Sequence, residues 1–170
     1  PVVCLVPEGV AFDAVQAFFG DDVAVVGAAH TRGALTVRVL PFVPQDDYDR
    51  LLWACDVNCV RGEDSFVRAQ WAGKPFLWHI YVQDENLHHV KLRAFLQRYA
   101  VDAEGAINGL VQAALAWNGA AADPLPWGQL WSALRADMPR IVARAQGWQG
   151  LMQANGDLAS NLLAFAGATR

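Results

Sequence analysis

Five consecutive residues, Arg61, Gly62, Glu63, Asp64 and Ser65, supply a cation, a turn glycine, two carboxylates and a hydroxyl. Residues 56–60 before them read as a short buried strand. Residues 63–71 read as a helix with Phe66, Val67, Ala69 and Trp71 on its apolar face, ended by Gly73 as a left-handed cap. A strand that turns at a glycine into a helix N-terminus is a natural anion site. The amides of the first helical turn lack intrahelical partners, and the helix dipole adds about half a positive charge there. Arg61 falls at the carboxyl end of the strand, where ligands of open α/β sheets bind, and its planar fork suits phosphate. Ser65 offers a hydroxyl and a helix-start amide. Tyr81 ends the next strand, 76–81, and either reaches the same place or packs at the strand end. The pattern also fits an ordinary βαβ unit in which Glu63 and Asp64 only complement the helix dipole.

A second chemical feature is Pro41-Phe42-Val43-Pro44-Gln45, which follows strand 35–40. Two prolines stiffen the loop. An aromatic held there can stack on a nucleobase, worth about 1–3 kcal/mol, or it can close the core as a lid. Asp46 or Asp47 is placed to cap the next helix, which carries Tyr48, Leu51, Leu52 and Cys55.

The elements that must position these groups alternate. Residues 2–6 form a continuous apolar run, as in a strand covered on both faces. A helix over 10–19, a strand at 23–26, a polar loop at 28–33 with His30 and Arg32, and the strand 35–40 follow. Beyond Tyr81 come a helix over 86–99 and a helix, capped by Asp102, carrying Ile107, Leu110, Val111, Ala114 and Leu115 at helical spacing. After a loop at 118–126, a helix from Trp127 is expected to kink or break at Pro139 and to end at Gly147. A last helix is capped by Asp157. The order β-α-β-β-α-β-α-β followed by helices predicts a Rossmann-like parallel sheet with helices on both faces, in a single domain over 1–170.

Apolar residues make up 54% of the 170 and charged ones 18%, enough for a full core. A net charge of -4 argues against general nucleic-acid binding. No run reaches membrane-span length and nothing resembles a signal peptide, so no membrane partner is expected and the cytoplasm is the expected location. The chain opens on Pro1, not Met, as expected of a fragment or excised domain. Cys4, Cys55 and Cys59 are odd in number and read as buried free thiols. They have no companion pair for zinc, and His88 and His89 are adjacent on a helix and point apart.

The run DYDRLLWACDVNCVRGEDSFVRAQWAGKPFLWHIY, residues 47–81, closely resembles the EarP family, protein-arginine rhamnosyltransferases that modify elongation factor P. Pro41-Phe42 with Gln45 matches as well, as does His89, Lys91-Leu92, Ala94-Phe95-Leu96 downstream. Resemblance is dense over 40–99 and loose elsewhere. Val82 departs from the family, which has Pro before Gln83.

The resemblance implies the carboxyl-terminal lobe of a two-lobed, GT-B-type glycosyltransferase, with the amino-terminal acceptor lobe absent from this chain. It implies dTDP-β-L-rhamnose as donor, an arginine of elongation factor P as acceptor held mainly by the missing lobe, and inversion at the sugar carbon. The fragment alone is expected to bind donor without turnover. Arg61, Gly62 and Ser65 would then meet the diphosphate with Tyr81. Phe42 and Tyr48 would flank the thymine, and Gln45 would bond its edge. Asp64, counted with the same site, braces the loop or caps the helix. Protein donors can neutralise a leaving diphosphate, so neither metal nor cofactor is expected. Glu63 is the expected catalytic residue, because a cationic arginine with a pKa above about 12 needs a carboxylate to hold and polarise it. Two other readings remain: the sugar-nucleotide lobe of a transferase with another acceptor, or a non-catalytic partner-binding module that keeps the fold.

Overall fold

The first strand, β1 (Val2–Pro7), leads through a turn into helix α1 (Phe12–Phe19). Strands β2 (Ala29–Arg32) and β3 (Leu35–Leu40) follow, then α2 (Gln45–Ala54). The parallel step comes next: β4 (Asn58–Val60), α3 (Glu63–Trp71) and β5 (Phe76–Trp78). A 3-10 turn at Asp84–Asn86 opens four helices, α4 (Leu87–Ala100), α5 (Asn108–Trp117), α6 (Trp127–Ala154) and α7 (Leu158–Ala168). This computed structural model describes residues 1–20, 25–101, 103, 105–123 and 125–168. They divide into two units, Pro1–Tyr48 and Asp49–Arg170.

In the first unit β3 is central. It pairs parallel with β1, from Val2 opposite Leu35 to Pro7 opposite Leu40, and antiparallel with β2. The β2–β3 hairpin turns on two residues, and Gly33 supplies the positive φ of 61° that so tight a turn needs. The loop expected over 28–33 is therefore largely strand. The expected strand over 23–26 begins on residues outside the described ones, and Val25–Ala28 closes a turn. Val6, Val15 and Val37 form the core, with Phe19 and Leu35 against them. Val2, Val3 and Cys4 are exposed, so β1 is not covered on both faces by the described residues. Cys59 is exposed as well and Cys55 half-buried, so the expectation of burial fails.

In the second unit β4 and β5 run parallel, Asn58 opposite Phe76 and Val60 opposite Trp78, with α3 as the crossover. Among the described residues the strands thus form two small sheets, of three and two strands, in a mixed α/β chain. An aromatic cluster fills the space under α3: Phe66 stacks on Trp78 at 3.8 Å, and Phe95 meets both edge-on. Tyr99 closes the cluster beside Phe76 and Trp148. Its hydroxyl is buried with no partner among the described residues, and burial pushes its pKa up to about 12.

Helix α6 runs unbroken through Pro139 and past Gly147, against the expected break and stop. Leu130 and Leu134 before the proline and Ile141 and Ala145 after it keep one buried stripe, so packing carries the helix across the missing amide. Beyond Gly147, Trp148 Nε1 donates to Gln70 Oε1 at 2.9 Å and Gln149 Nε2 to the Trp71 carbonyl at 2.6 Å, tying the last turns to α3. Asp157 caps α7 as expected: its carboxylate accepts from the Ser160 amide at 2.9 Å and hydroxyl at 2.7 Å, and those bonds lower its pKa. The cap assigned to Asp102 lies outside the described residues.

Helices α5 and α6 touch at Gly109, whose amide donates to Asp137 Oδ2 at 3.2 Å. A Cβ there would stand 2.8 Å from the carbonyl carbon of Ala133 and 2.9 Å from the Leu134 nitrogen. Backbone cannot yield as a side chain can. Gly109→Ala is expected to cost about 1–3 kcal/mol in urea denaturation, and an unchanged midpoint would refute the close helix contact.

Candidate functional site

The site is built on the step from β4 into α3. Gly62 is the N-cap, in extended conformation at φ −69° and ψ 160°. Its carbonyl accepts the first helical bond from the Phe66 amide at 2.9 Å and a second from Ser65 Oγ at 2.8 Å. Gly62 brings no capping side chain, so the first-turn amides are left to other partners. The carbonyl of Arg61 is gripped from below by the indole of Trp78, Nε1 donating at 2.9 Å. Trp78 is itself buried against Phe66, so the turn rests on the aromatic core.

The strand expected to run to Tyr81 stops at Trp78, yet Tyr81 still reaches the turn. Its ring lies under the Arg61 guanidinium, 4.7 Å from the ring centroid, a cation–π contact worth about 0.5–1 kcal/mol at an exposed site. A Cβ on Gly62 would lie 3.7 Å from Tyr81 Cε2, 3.9 Å from Tyr81 Oη and 3.8 Å from Ser65 Oγ. Arg61, Gly62, Ser65 and Tyr81 therefore converge on one spot. His79 stacks on Trp117 at 5.1 Å; burial, and then the charge of Arg61, lower its pKa below the ordinary histidine range, so the ring is neutral at pH 7.

The two carboxylates differ. Glu63 is exposed and makes no hydrogen bond or ion pair among the described residues. Asp64 Oδ2 accepts from Arg68 Nε at 2.8 Å, and Arg68 forks onto both oxygens of Asp49 at 2.8 and 2.9 Å. Those bonds, Asp49 first and Asp64 second, raise the Arg68 pKa further. Asp64 is thus a brace of the α3 start.

In the first unit Phe42 follows β3 and is 84% exposed, so it is no lid on that unit's core. Gln45 opens α2 and Tyr48 lies one turn on, its amide bonded to the Pro44 carbonyl at 2.9 Å, which puts both on one helix face. A cavity of about 260 Å³ at the carboxyl end of β1, lined by Val6, Glu8, Val10 and Val39 among others, had no signal in the sequence beyond a turn. Sequence reasoning also passed over Asn118, which it read as the start of a loop. No group of three or more His, Cys, Asp or Glu among the described residues is placed to hold a metal. No described helix is long and apolar enough to cross a membrane.

A parallel βαβ step, a second small sheet and a run of helices make this a mixed α/β protein. A model of the family described as "Elongation-Factor P (EF-P) rhamnosyltransferase EarP" matches residues 1–167, and the chain belongs to that family. It is 50% identical over 169 residues to a protein-arginine rhamnosyltransferase of Pseudomonas putida and 45% identical over 166 residues to that of Pseudomonas aeruginosa. Each match takes in 97% of this chain and 43% of the relative, so the chain spans less than half the length of these two relatives. Over 56 residues, 33% of the chain and 15% of the relative, identity to a protein-arginine rhamnosyltransferase of Neisseria meningitidis reaches 68%. A solved structure described as the structural basis for EarP-mediated arginine glycosylation of translation elongation factor EF-P matches at TM-score 0.83 and 43% identity. It covers all of this chain and 53% of that one.

Neither the backbone nor the packing requires glycine at position 62: its φ suits any residue and an added Cβ would make ordinary contacts. Gly62→Ala is therefore expected to stay within about 1 kcal/mol of the parent in stability. It should weaken a nucleoside diphosphate by about tenfold or more in calorimetric titration, because the methyl fills the space between Ser65 and Tyr81. Unchanged affinity would mean that no ligand approaches this backbone.

Proposed function

We propose that this chain is the donor-binding, carboxyl-terminal lobe of a GT-B-type, inverting protein-arginine rhamnosyltransferase that acts on elongation factor P in the cytoplasm. The donor is dTDP-β-L-rhamnose, and both units belong to one Rossmann-like donor lobe. The observation that carries the reading is the Arg61 guanidinium held over Tyr81 beside an uncapped glycine-led helix start. Membership of the rhamnosyltransferase family supports the sugar and the arginine acceptor.

Arg61, Gly62, Ser65 and Tyr81 take the diphosphate, which leaves as dTDP when the bond from its oxygen to the sugar carbon breaks. Arg61 and the helix-start amides meet the charge that develops on that oxygen, which is why no metal or cofactor is invoked. Ser65 can turn its hydroxyl from the Gly62 carbonyl to a phosphate oxygen. Phe42 and Tyr48 flank the thymine and Gln45 bonds its edge. Asp64 serves the site through Arg68, by fixing the first turn of α3. Glu63, exposed and without a partner among the described residues, faces the sugar and the incoming arginine, whose charge it offsets. The remaining acceptor contacts belong to the part of the protein outside this chain, so the chain alone binds donor without transferring sugar.

Calorimetric titration of the chain with dTDP, UDP and ADP tests the donor assignment: dTDP should bind with UDP and ADP much weaker, and no dTDP binding by the folded chain would sink it. Phe42→Ala is expected to lose about 1–3 kcal/mol of dTDP affinity with no change in melting temperature. Equal affinity would remove the ring from the base site.

Arg61→Ala and Glu63→Gln separate binding from chemistry. Arg61→Ala should lose about 1.5–3 kcal/mol of dTDP affinity, the worth of a charge-assisted bond. Glu63→Gln should leave dTDP affinity unchanged or slightly higher, and in the full-length enzyme cut turnover by about 100-fold or more at saturating donor. Loss of dTDP binding in Glu63→Gln with full turnover would reverse the two roles.

A further inference from the structure

The carboxyl end of α5 meets the segment that carries Tyr81, and one side chain makes the junction. Asn118 Nδ2 donates to the Trp78 carbonyl at 2.8 Å and to the Ala114 carbonyl at 2.8 Å, while Oδ1 accepts from the Ile80 amide at 2.9 Å. The amide group thus replaces a strand neighbour for residues 78–80, just where β5 ends and its ladder stops. It is held in turn from both sides. Its own carbonyl accepts from His89 Nε2 at 2.8 Å, and the preceding Trp117 stacks on His79 with ring planes 12° apart.

Two arms lead from this junction to one residue. Along the chain, fixing Ile80 aims Tyr81, whose ring supports the Arg61 guanidinium. Through Trp78, the backbone held by Asn118 belongs to the residue whose indole grips the Arg61 carbonyl. Main-chain groups at 78 and 80 need partners wherever they are shielded from water, and an asparagine offers a donor and an acceptor at the right separation. Alanine offers neither, and aspartate keeps the acceptor but sets a carboxylate against the Trp78 carbonyl.

We infer that Asn118 is a positioning residue for the diphosphate site, holding Tyr81 and Trp78 so that both the guanidinium and the backbone of Arg61 are fixed before ligand arrives. The inference rests on the donor-site reading above for its effect on dTDP, but the placement of Arg61 is a property of the free protein.

The test uses the whole chain as Asn118→Ala, Asn118→Asp and Arg61→Ala, with the double variant Asn118→Ala/Arg61→Ala. In the free protein, the δ protons of Arg61 carry a ring-current shift from Tyr81 that NMR reads directly, with Tyr81→Leu as the zero. Asn118→Ala should lose most of that shift and Asn118→Asp, which loses the bond to the Trp78 carbonyl, a clear part of it. Both should weaken dTDP, the alanine variant about tenfold, with melting temperatures in the folded range. In the Arg61→Ala background, Asn118→Ala should add less than a twofold loss, read by NMR titration. An intact Arg61 shift in folded Asn118 variants overturns the inference, as does a full tenfold further loss in the double variant, which a general structural role would give. Should Asn118→Ala not fold, Asn118→Asp, which keeps the bond from Ile80, decides the matter. Failure of the parent chain to bind dTDP would sink the donor-site reading alone, and the Arg61 shift would still judge Asn118.

Discussion

The indole of Trp78 is the point on which the site depends. It stacks on Phe66 at 3.8 Å, so its plane is fixed by the core, and its one polar atom reaches out 2.9 Å to the carbonyl of Arg61. A buried indole N–H left without a partner costs about 1–3 kcal/mol, so the bond locks the turn to the core as firmly as it satisfies the tryptophan. The turn between β4 and α3 therefore inherits the rigidity of an aromatic cluster, although the residues on its surface are exposed. Preorganised donors of this kind need no reorganisation when charge develops in front of them.

Charge is sorted on the same scaffold. Four ionisable side chains crowd the start of α3: Arg61, Glu63, Asp64 and Arg68. Arg68 is shared by two carboxylates, Asp64 through Nε and Asp49 through Nη1, and the Asp49 contact pins α2 to α3. At 26% and 30% side-chain exposure the Arg68–Asp49 pair is partly shielded, with Nη1 shared between both Asp49 oxygens while Nε is held by Asp64. Outside that triad stand one cation, Arg61, which lies over the Tyr81 ring, and one carboxylate, Glu63, neither in an ion pair among the described residues. A neutral His79 behind them adds hydrophobic support without a second charge. A motif that reads in sequence as a dense cluster of charges thus offers a ligand one positive and one negative group.

Much of this was legible in the chain. The glycine at 62, the helix over 63–71, the cap glycine at 73 and the strand 35–40 follow from local chemistry, because turn glycines and apolar periods act within a few residues. The misreadings share a different cause. Residues 29–32 are polar and short, and only their pairing with β3 makes them a strand; no local signal carries that. The continuity of α6 through Pro139 is likewise decided by Leu130, Leu134, Ile141 and Ala145 packing as one stripe, a tertiary fact that overrides the proline. Expected strands ran too long at 56–57 and 79–81 because aromatic and branched residues favour extended backbone whether or not a ladder partner exists. Asn118 looked like a loop residue, since its three bonds reach 4, 38 and 40 positions back along the chain.

The different fates of Glu63 and Asp64 bear on what the turn can do to a cationic nucleophile. A carboxylate already bonded to a guanidinium, as Asp64 is to Arg68, has little left to offer a second one. Glu63, one residue earlier, is rotated by about 100° around the helix and has no such partner among the described residues. It stands two residues from Arg61, whose positive charge would otherwise repel an incoming guanidinium from the phosphate side. A helix start whose amides have no side-chain cap, and whose first-position glutamate has no partner among the described residues, has the chemistry to receive an anion and a cation together. That pairing suits a transferase joining an anionic sugar nucleotide to an arginine better than a site that only holds a nucleotide.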